Sequence, residues 1–324
     1  MRARIAALAG SAVFALAPAM AAQEAPGAQA APGGALRVLI VSGLSAEPLY
    51  VTQFRAIADT IFDAARARWH VADSNLLYLA EDSTADPRVT GRSTKQGIAG
   101  AFASFASRTR SGDVTFVLLI GHGSGELDQS ALNVPGPDPV ARDFAGWLAS
   151  LQQGSVVFVD ASNASGDFGP VLAGPGRVII TATRTALERN ATIFGDAFAA
   201  ALTGTAADAN KDGTVSVAEA FDAARAEVAR EYDETRRLQT EHAVMIDSSG
   251  IASRIGFGGA ATSADPRVIA LVGERRTLEG QVDSLRHIKA TMDSTSYQRE
   301  LERLLLLVAR KTRTIDSLRR TAPP

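Results

Sequence analysis

The chain has 324 residues, of which 46% are hydrophobic and 21% charged, the composition of an ordinary globular protein. A formal net charge of -2 and only 6% aromatic residues exclude the basic, base-stacking surface of a nucleic-acid-binding protein. The chain contains no cysteine, so disulfides are excluded and stability must come from core packing, helped by any bound metal.

The N-terminus has the pattern of a secretory signal peptide. Two arginines precede an apolar stretch over residues 5–20, and Ala19-Met20-Ala21 fits the small-x-small cleavage rule. We therefore predict a signal peptide over residues 1–21 and an exported protein, either periplasmic or secreted. A membrane span is the weaker interpretation, because the stretch is short and interrupted by Pro18. No later segment reaches the roughly 18 uncharged apolar residues that a span needs, so no span is expected after signal removal.

A flexible linker is predicted over residues 22–35, which are mostly Ala, Pro, Gly and Gln. Beyond it, apolar runs alternate with helical patterns. The predicted strands are Leu36–Gly43, Asn75–Ala80, Val114–Gly123, Ser155–Ser162 and Arg177–Arg184, and the predicted helices between them are Thr52–Trp69, Thr94–Arg108 and Ala141–Leu151. Continuous apolar strands alternating with helices predict an α/β domain over residues 36–262, with a mostly parallel sheet covered by helices on both faces.

The remaining residues, 263–324, predict a C-terminal helical hairpin or coiled-coil tail. Two seams of apolar residues at helical spacing flank a polar turn at Met292–Ser296, where Thr295 and Gln298 have the spacing of a capping box. The seams are Leu278, Val282, Leu285, Ile288 and Met292, and then Leu301, Leu304, Leu305, Val308, Ile315 and Leu318. The surplus of basic residues here indicates a solvated face or, alternatively, an acidic partner or a role at a membrane surface. We expect this hairpin to pack on the domain or to form a homo-oligomer.

The most specific motif lies at residues 208–219 and matches the EF-hand calcium loop. Oxygen-bearing side chains fall at loop positions 1, 3, 5 and 9, glycine at 6, an apolar residue at 8 and glutamate at 12. Thr214 at position 7 is expected to contribute its backbone carbonyl. The predicted ligands are Asp208, Asn210, Asp212, Thr214, Ser216 and Glu219. Helices predicted at Ile193–Leu202 and Val217–Tyr232 flank the loop. Calcium is the predicted ligand, and the alternative is a polar turn that binds nothing.

A second candidate site lies where two predicted strands end. His122 follows the third strand between two glycines, and Ser162 follows the fourth. Ligands of parallel α/β sheets bind beyond the carboxyl ends of the strands, so these side chains are candidates for a histidine–nucleophile dyad. Serine, however, needs an oriented base and an oxyanion hole, and no G-x-S-x-G elbow surrounds any serine here.

At these strand ends the chain resembles the legumain/caspase-like superfamily of cysteine peptidases, in particular bacterial exported legumain-like proteins with an embedded EF-hand and a helical tail. The similarity runs from about Leu36 to Ile315. The matching segments are His122-Gly123, Asp160-Ala161, Ser165-Gly166, Val178–Phe198, the EF-hand loop and Thr240–Ala243. The resemblance implies a caspase/legumain-like fold, and a role for Asp160 beside the substrate pocket. The alternative role for Asp160 is to cap nearby amides.

The nucleophile departs from that family pattern. The family cysteine falls on Ser162 when counted from Asp160, but on Asn163 when counted back from Ser165-Gly166. Neither residue can act as a thiolate, so the resemblance implies a vestigial or remodelled dyad. We therefore expect a pseudoenzyme: a calcium-stabilised binding or interaction module with a protein or peptide ligand at the strand-end cleft. The main alternative is a serine-dependent hydrolase that uses Ser162 or Ser165 with His122, and a third is a different chemistry or a partner that supplies the missing group.

Overall fold

A seven-stranded sheet forms the centre of the fold in the computed structural model, which describes residues 34–84, 86–125, 130–151, 153–257, 266–287, 289 and 292–321. The predicted signal peptide, nearly all of the predicted linker and the junction between domain and tail lie outside the described residues.

The strands of the central sheet are β1 (Leu36–Ser42), β2 (Leu76–Ala80), β3 (Gly91–Arg92), β4 (Val114–Ile120), β7 (Ser155–Asp160), β8 (Arg177–Thr181) and β10 (Val244–Asp247). They lie in the order β3-β2-β1-β4-β7-β8-β10, and every neighbouring pair is parallel except β8 with β10. Two short pairs stand apart from this sheet: β5 (Gly123–Ser124) with β6 (Ala131–Leu132), and β9 (Val215–Ser216) with β11 (Gly256–Phe257). The predicted α/β class is confirmed.

Helices cover both faces of the sheet. The helices of the domain are α1 (Pro48–Ala67), α2 (Lys95–Ala106), α3 (Ala141–Leu148), α4 (Phe168–Leu172), α5 (Phe194–Thr203) and α6 (Val217–Glu234), and the tail adds α7 (Pro266–His287) and α8 (Ser294–Thr321). Alternate residues of β1 enter different cores: Val38 and Ile40 pack with residues of α1, α5 and α6, whereas Leu39 and Val41 pack with residues of α2 and α3. Burial on both faces is the reason that the strands are continuously apolar.

Several predicted strands end earlier than expected. β4 ends at Ile120, because Gly121 adopts φ +152° and turns the chain away from the sheet. β7 ends at Asp160, where the carboxylate accepts a hydrogen bond from the Ser162 amide. His122 and Ser162 therefore lie in loops beyond the sheet, whereas Asp160 is the last residue of β7. Strand β10 was not predicted from the sequence.

The tail forms the predicted antiparallel pair of helices, α7 and α8, around an apolar cluster of its own. Val282, Leu285 and Leu304 are buried there, and Leu278 and Leu301 pack against them. The predicted cap at Thr295 is wrong. Helix α8 begins at Ser294, and the Asp293 carboxylate accepts hydrogen bonds from the amides of Thr295 and Ser296. Ile288 lies outside the described residues.

None of the helices in the described ranges combines the length and the apolar character that crossing a membrane would require.

Candidate functional site

The pairing of β4 with β7 brings His122 and Ser162 to the same edge of the sheet. The two strands are parallel neighbours, with Leu119 opposite Asp160, so the loops that follow them leave side by side. Their contact is tight: a Cβ built on Gly123 would lie 2.0 Å from the Asn163 carbonyl oxygen and 2.9 Å from Ser162 Oγ. Only glycine fits at that position. We call His122, Asp160, Ser162 and Asn163 the strand-end cluster.

The Ser162 hydroxyl is directed to Asp160. Its Oγ lies 2.6 Å from Asp160 Oδ1, and the Ser162 amide donates to the same oxygen at 3.0 Å. Ser162 is also 1% exposed. A serine nucleophile has to give its proton to a base and to reach its substrate. In this structure the hydroxyl donates its hydrogen bond to a carboxylate instead of a histidine base, and it is buried.

Asp160 is fully buried, and its second oxygen, Oδ2, has no hydrogen-bond partner among the described residues. Burial disfavours the charged form and raises the pKa of Asp160 to about 7, although the two hydrogen bonds from Ser162 oppose the shift. The carboxyl group is therefore partly protonated near neutral pH. The contacts with Ser162 match the capping role that the sequence left open for this residue.

His122 makes aromatic contacts instead of a catalytic hydrogen bond. Its ring lies edge-on to Tyr50 at a centroid distance of 4.4 Å and to Phe54 at 5.3 Å. The imidazole donates to and accepts from no residue that the structure describes. The structure therefore brings His122 and Ser162 to neighbouring loops without joining them in a dyad.

Asn163 closes the space between the two loops. Its side-chain oxygen accepts a hydrogen bond from the Gly123 amide at 2.9 Å, and its Nδ2 donates to the Arg189 carbonyl at 2.7 Å. The residue is 8% exposed. The amide that follows His122 is therefore already occupied by a side chain of the protein itself.

Ser165, the other candidate nucleophile, is 1% exposed and pairs with Thr183 instead of His122. The two hydroxyl oxygens are 3.2 Å apart, and the Thr183 amide also lies 3.2 Å from Ser165 Oγ. A Cβ on Gly166 would lie 2.3 Å from the Arg184 carbonyl carbon. The Ser165-Gly166 pair thus packs the loop after β7 onto the loop after β8.

A cavity of about 460 Å³ opens at the carboxyl ends of β1 and β2, beside the strand-end cluster. Phe54 lines this cavity and also touches His122. Charged residues of both signs surround it: Arg55, Glu81, Asp82, Asp86 and Arg92. Sequence reasoning missed these residues, because they come from three different elements and form no local motif.

The predicted calcium loop, residues 208–219, adopts the turn that the motif requires. Gly213 has φ +87°, a conformation that favours glycine. Asp208 accepts hydrogen bonds from the amides of Asp212 and Gly213 at 2.9 and 2.7 Å. Asn210 accepts from the Asp212 amide at 2.8 Å, and Glu219 from the Asn210 amide at 3.1 Å. Side-chain oxygens from loop positions 1, 3 and 12 therefore point towards the interior of one turn.

Two further predicted ligands are buried parts of the same loop. Thr214 is 8% exposed and Ser216 7% exposed. Ser216 forms a capping box with Glu219 at the start of α6, in which the Glu219 amide donates to Ser216 Oγ at 3.2 Å and the Ser216 amide donates to Glu219 Oε2 at 2.9 Å. The box brings the glutamate of loop position 12 back over the loop.

The short strand of the loop, β9, pairs with another strand of the same chain. EF-hands usually occur in pairs, but here β9, which contains the apolar loop position 8, pairs antiparallel with β11. Gly256 of β11 approaches so closely that a Cβ would lie 2.6 Å from the Thr214 methyl group. A strand from the segment after β10 thus supports a single loop.

The donor set of hard oxygens fits calcium. Within the described residues, no three His, Cys, Asp or Glu side chains are gathered closely enough to hold a metal by themselves. Amide, hydroxyl and carbonyl oxygens would have to complete the set, as they do in EF-hand loops. One oxygen of Asp212, at loop position 5, lies 2.9 Å from a guanidinium nitrogen of Arg275 on α7. No feature of the sequence marked that arginine.

No family model matches the chain, and no curated protein matches it either.

Proposed function

We propose that this chain is an exported calcium-binding protein, a non-catalytic relative of legumain-like peptidases that acts as a binding or interaction module. The calcium loop carries this proposal: oxygens from positions 1, 3 and 12 turn into one loop, with the glycine of position 6 at φ +87°. Asp208, Asn210, Asp212, Ser216 and Glu219 would hold the ion through side chains and Thr214 through its carbonyl. Bound calcium would fasten α6 to the sheet and stabilise the fold.

The relationship to the legumain/caspase-like superfamily is part of the proposal. A mainly parallel sheet with one antiparallel edge strand is compatible with a caspase-like fold. The motif residues His122 and Asp160 lie at the ends of adjacent strands in that sheet, β4 and β7. This placement supports the relationship, because the family motifs require those two strands to be neighbours.

Three contacts support the absence of peptidase activity. The Ser162 hydroxyl donates a hydrogen bond to Asp160, the His122 ring packs edge-on against Tyr50 and Phe54, and Asn163 accepts the hydrogen bond of the Gly123 amide. Acyl transfer needs a nucleophile in contact with its base and free amide donors for the oxyanion. The cavity beside His122 supports the idea of a protein or peptide ligand at this edge of the sheet, bound without cleavage.

The hairpin supports a proposed homo-oligomer. Leu305 and Leu306 on α8 are 46% and 53% exposed, next to the partly buried Leu301. Apolar side chains exposed together in this way are typical of interaction surfaces. Light scattering of the full chain and of Leu305→Glu tests the idea. We expect a dimer or larger species that dissociates in the variant, and a monomeric wild type would contradict it.

Thermal unfolding in calcium and in EDTA tests the calcium site. We expect calcium to raise Tm of the wild type, and Glu219→Gln to abolish the shift by removing the ligand at loop position 12. Asp222→Asn changes the same charge on the exposed side of α6 and should leave the shift intact. Identical melts of the wild type in calcium and in EDTA would refute the calcium site.

A panel of fluorogenic peptides with Asn, Asp, Arg or Lys before the cut tests the second half of the proposal. We expect no turnover, with or without calcium. Turnover that disappears in both His122→Ala and Ser162→Ala would instead establish the serine hydrolase.

A further inference from the structure

The calcium loop touches a buried positive charge from the tail. Arg275, on α7, is 2% exposed, and its Nη2 lies 2.9 Å from Oδ2 of Asp212, which is 4% exposed. Arg275 Nε also lies 3.5 Å from Glu279 on the same helix. Arginine is seldom buried unless it is paired, so the contact with the loop fixes where this part of α7 lies.

We propose that Arg275 belongs to the calcium site as a residue that opposes the ion, so that calcium binding and docking of the α7–α8 hairpin weaken each other. The inference rests on the proposed function, since it requires that the loop bind calcium. It assigns to the tail a regulatory role at the loop, in addition to any role in self-association.

Shared use of one carboxylate is the physical basis. Asp212 Oδ1 accepts a hydrogen bond from the Thr214 amide at 2.7 Å, and Oδ2 pairs with Arg275. A calcium ion held at loop position 5 would draw on the same carboxylate. The ion and the guanidinium are both positive, they would lie within a few ångströms of each other, and burial keeps solvent from screening their repulsion.

The hairpin can change its docking when calcium binds, because its apolar cluster is separate from the cores of the sheet. Val282, Leu285 and Leu304 pack together and belong to neither of the two cores of the sheet. Contacts of α7 with the domain include the Arg275 ion pair and the approach of Gly280 to Arg254, where a Cβ would lie 3.0 Å from Arg254 Cδ. Both contacts involve charged side chains. A positive ion bound in the loop would therefore weaken the attraction between Asp212 and Arg275 that holds α7 against the loop. By linkage, calcium weakens docking by the same factor by which docking weakens calcium binding.

Calcium titration calorimetry of the full chain measures the coupling. We compare the wild type with Arg275→Gln and with the matched control Arg303→Gln, which removes the same charge from an exposed position on α8. We expect Arg275→Gln to bind calcium at least about fivefold more tightly, at the lower end of coupling between sites. The control should have the wild-type Kd.

A distance measurement reports on the hairpin and does not depend on the folding of an Arg275 variant. The chain has no cysteine, so Ala226→Cys on α6 and Glu302→Cys on α8, both exposed positions, accept spin labels cleanly. We expect one narrow distance distribution in EDTA and a broader, longer one in calcium.

Each outcome decides the matter. Tighter binding confined to Arg275→Gln, together with a calcium-dependent label distance, supports the inference. Equal Kd values in all three proteins, equal gains in both arginine variants, or a label distance that calcium leaves unchanged would overturn it while leaving the calcium site in place. Absence of calcium binding in all three proteins would overturn the proposed calcium site as well.

Discussion

The strand-end cluster and the proposed calcium loop contain the same kinds of polar residue, but these residues differ in burial and in hydrogen-bond partners. In the strand-end cluster, Asp160, Ser162 and Asn163 are at least 92% buried and bond to one another or to the neighbouring loops. In the calcium loop, Asp208 and Asn210 lie nearer the surface and bond to amides of their own turn. Apart from Asp160 Oδ2, the polar groups of the strand-end cluster are bonded inside the protein and hold the loops together, whereas Asp208 and Asn210 present oxygens at the proposed calcium site.

The largest expected effect concerns Asp160. Its folded-state pKa, about 7, is raised from 3.8, so the folded protein binds the proton more tightly than the unfolded chain does. Protonation of this group stabilises the folded protein by at most about 4 kcal/mol. This contribution is fully present below about pH 4 and is lost as the pH rises to about 7. The asparagine of Asp160→Asn does not titrate. We therefore expect the unfolding free energy of this variant to fall less than that of the wild type as the pH rises from about 4 to about 7.

Urea unfolding of wild type and variant between pH 4 and 8 makes this measurement. The difference between the two proteins removes the contribution of the other carboxylates. Asp222→Asn, at an exposed position, should keep the wild-type profile. An Asp160→Asn profile parallel to that of the wild type would show that this carboxyl group is not held in a buried, proton-binding state.

Substitution of one asparagine in each region compares the two regions directly. Asn163→Ala leaves the Gly123 amide and the Arg189 carbonyl without their partners, so we expect a loss of about 2 kcal/mol of unfolding free energy whether or not calcium is present. Asn210 is exposed, so Asn210→Ala should change stability by no more than about 0.5 kcal/mol in EDTA. In calcium we expect Asn210→Ala to lose more stability than it does in EDTA, because the substitution removes a proposed ligand and reduces the stabilisation by the ion.

Urea unfolding of both variants in EDTA and in calcium tests this comparison. If Asn163→Ala reduces the stabilisation by calcium as much as Asn210→Ala does, the two regions are coupled and the contrast between them is wrong.

The smallest effect is expected at a glycine of the calcium loop. Gly213 has φ +87°, so Gly213→Ala should cost about 1 kcal/mol in EDTA and should also weaken calcium binding by distorting the turn. Gly250 has φ +61°, and no atom lies within 4 Å of a Cβ built there, so Gly250→Ala is a matched control for backbone strain outside the loop. Equal calcium Kd values for the two variants would contradict the role of Gly213 in the loop.

Much of the fold could be predicted because its pattern is repeated along the chain. Strands such as β1 are apolar at nearly every position, and the helices between them have regular apolar spacing, so the α/β class follows. The antiparallel strand β10 could not be predicted in this way. Its four residues are all half-buried, and it is a strand only because β8 offers a free edge.

The sequence by itself determined the turn at residues 208–219, the proposed calcium loop, because a turn of twelve contiguous residues depends on local backbone preferences and on a glycine at one position. Only the tertiary structure decided the state of the strand-end cluster and the burial of Arg275. Those contacts join residues that lie far apart in the chain, and they depend on the register of β4 with β7 and on where α7 docks. A hydroxyl directed to a carboxylate and a guanidinium buried against the loop have no local signature, since long-range packing sets both.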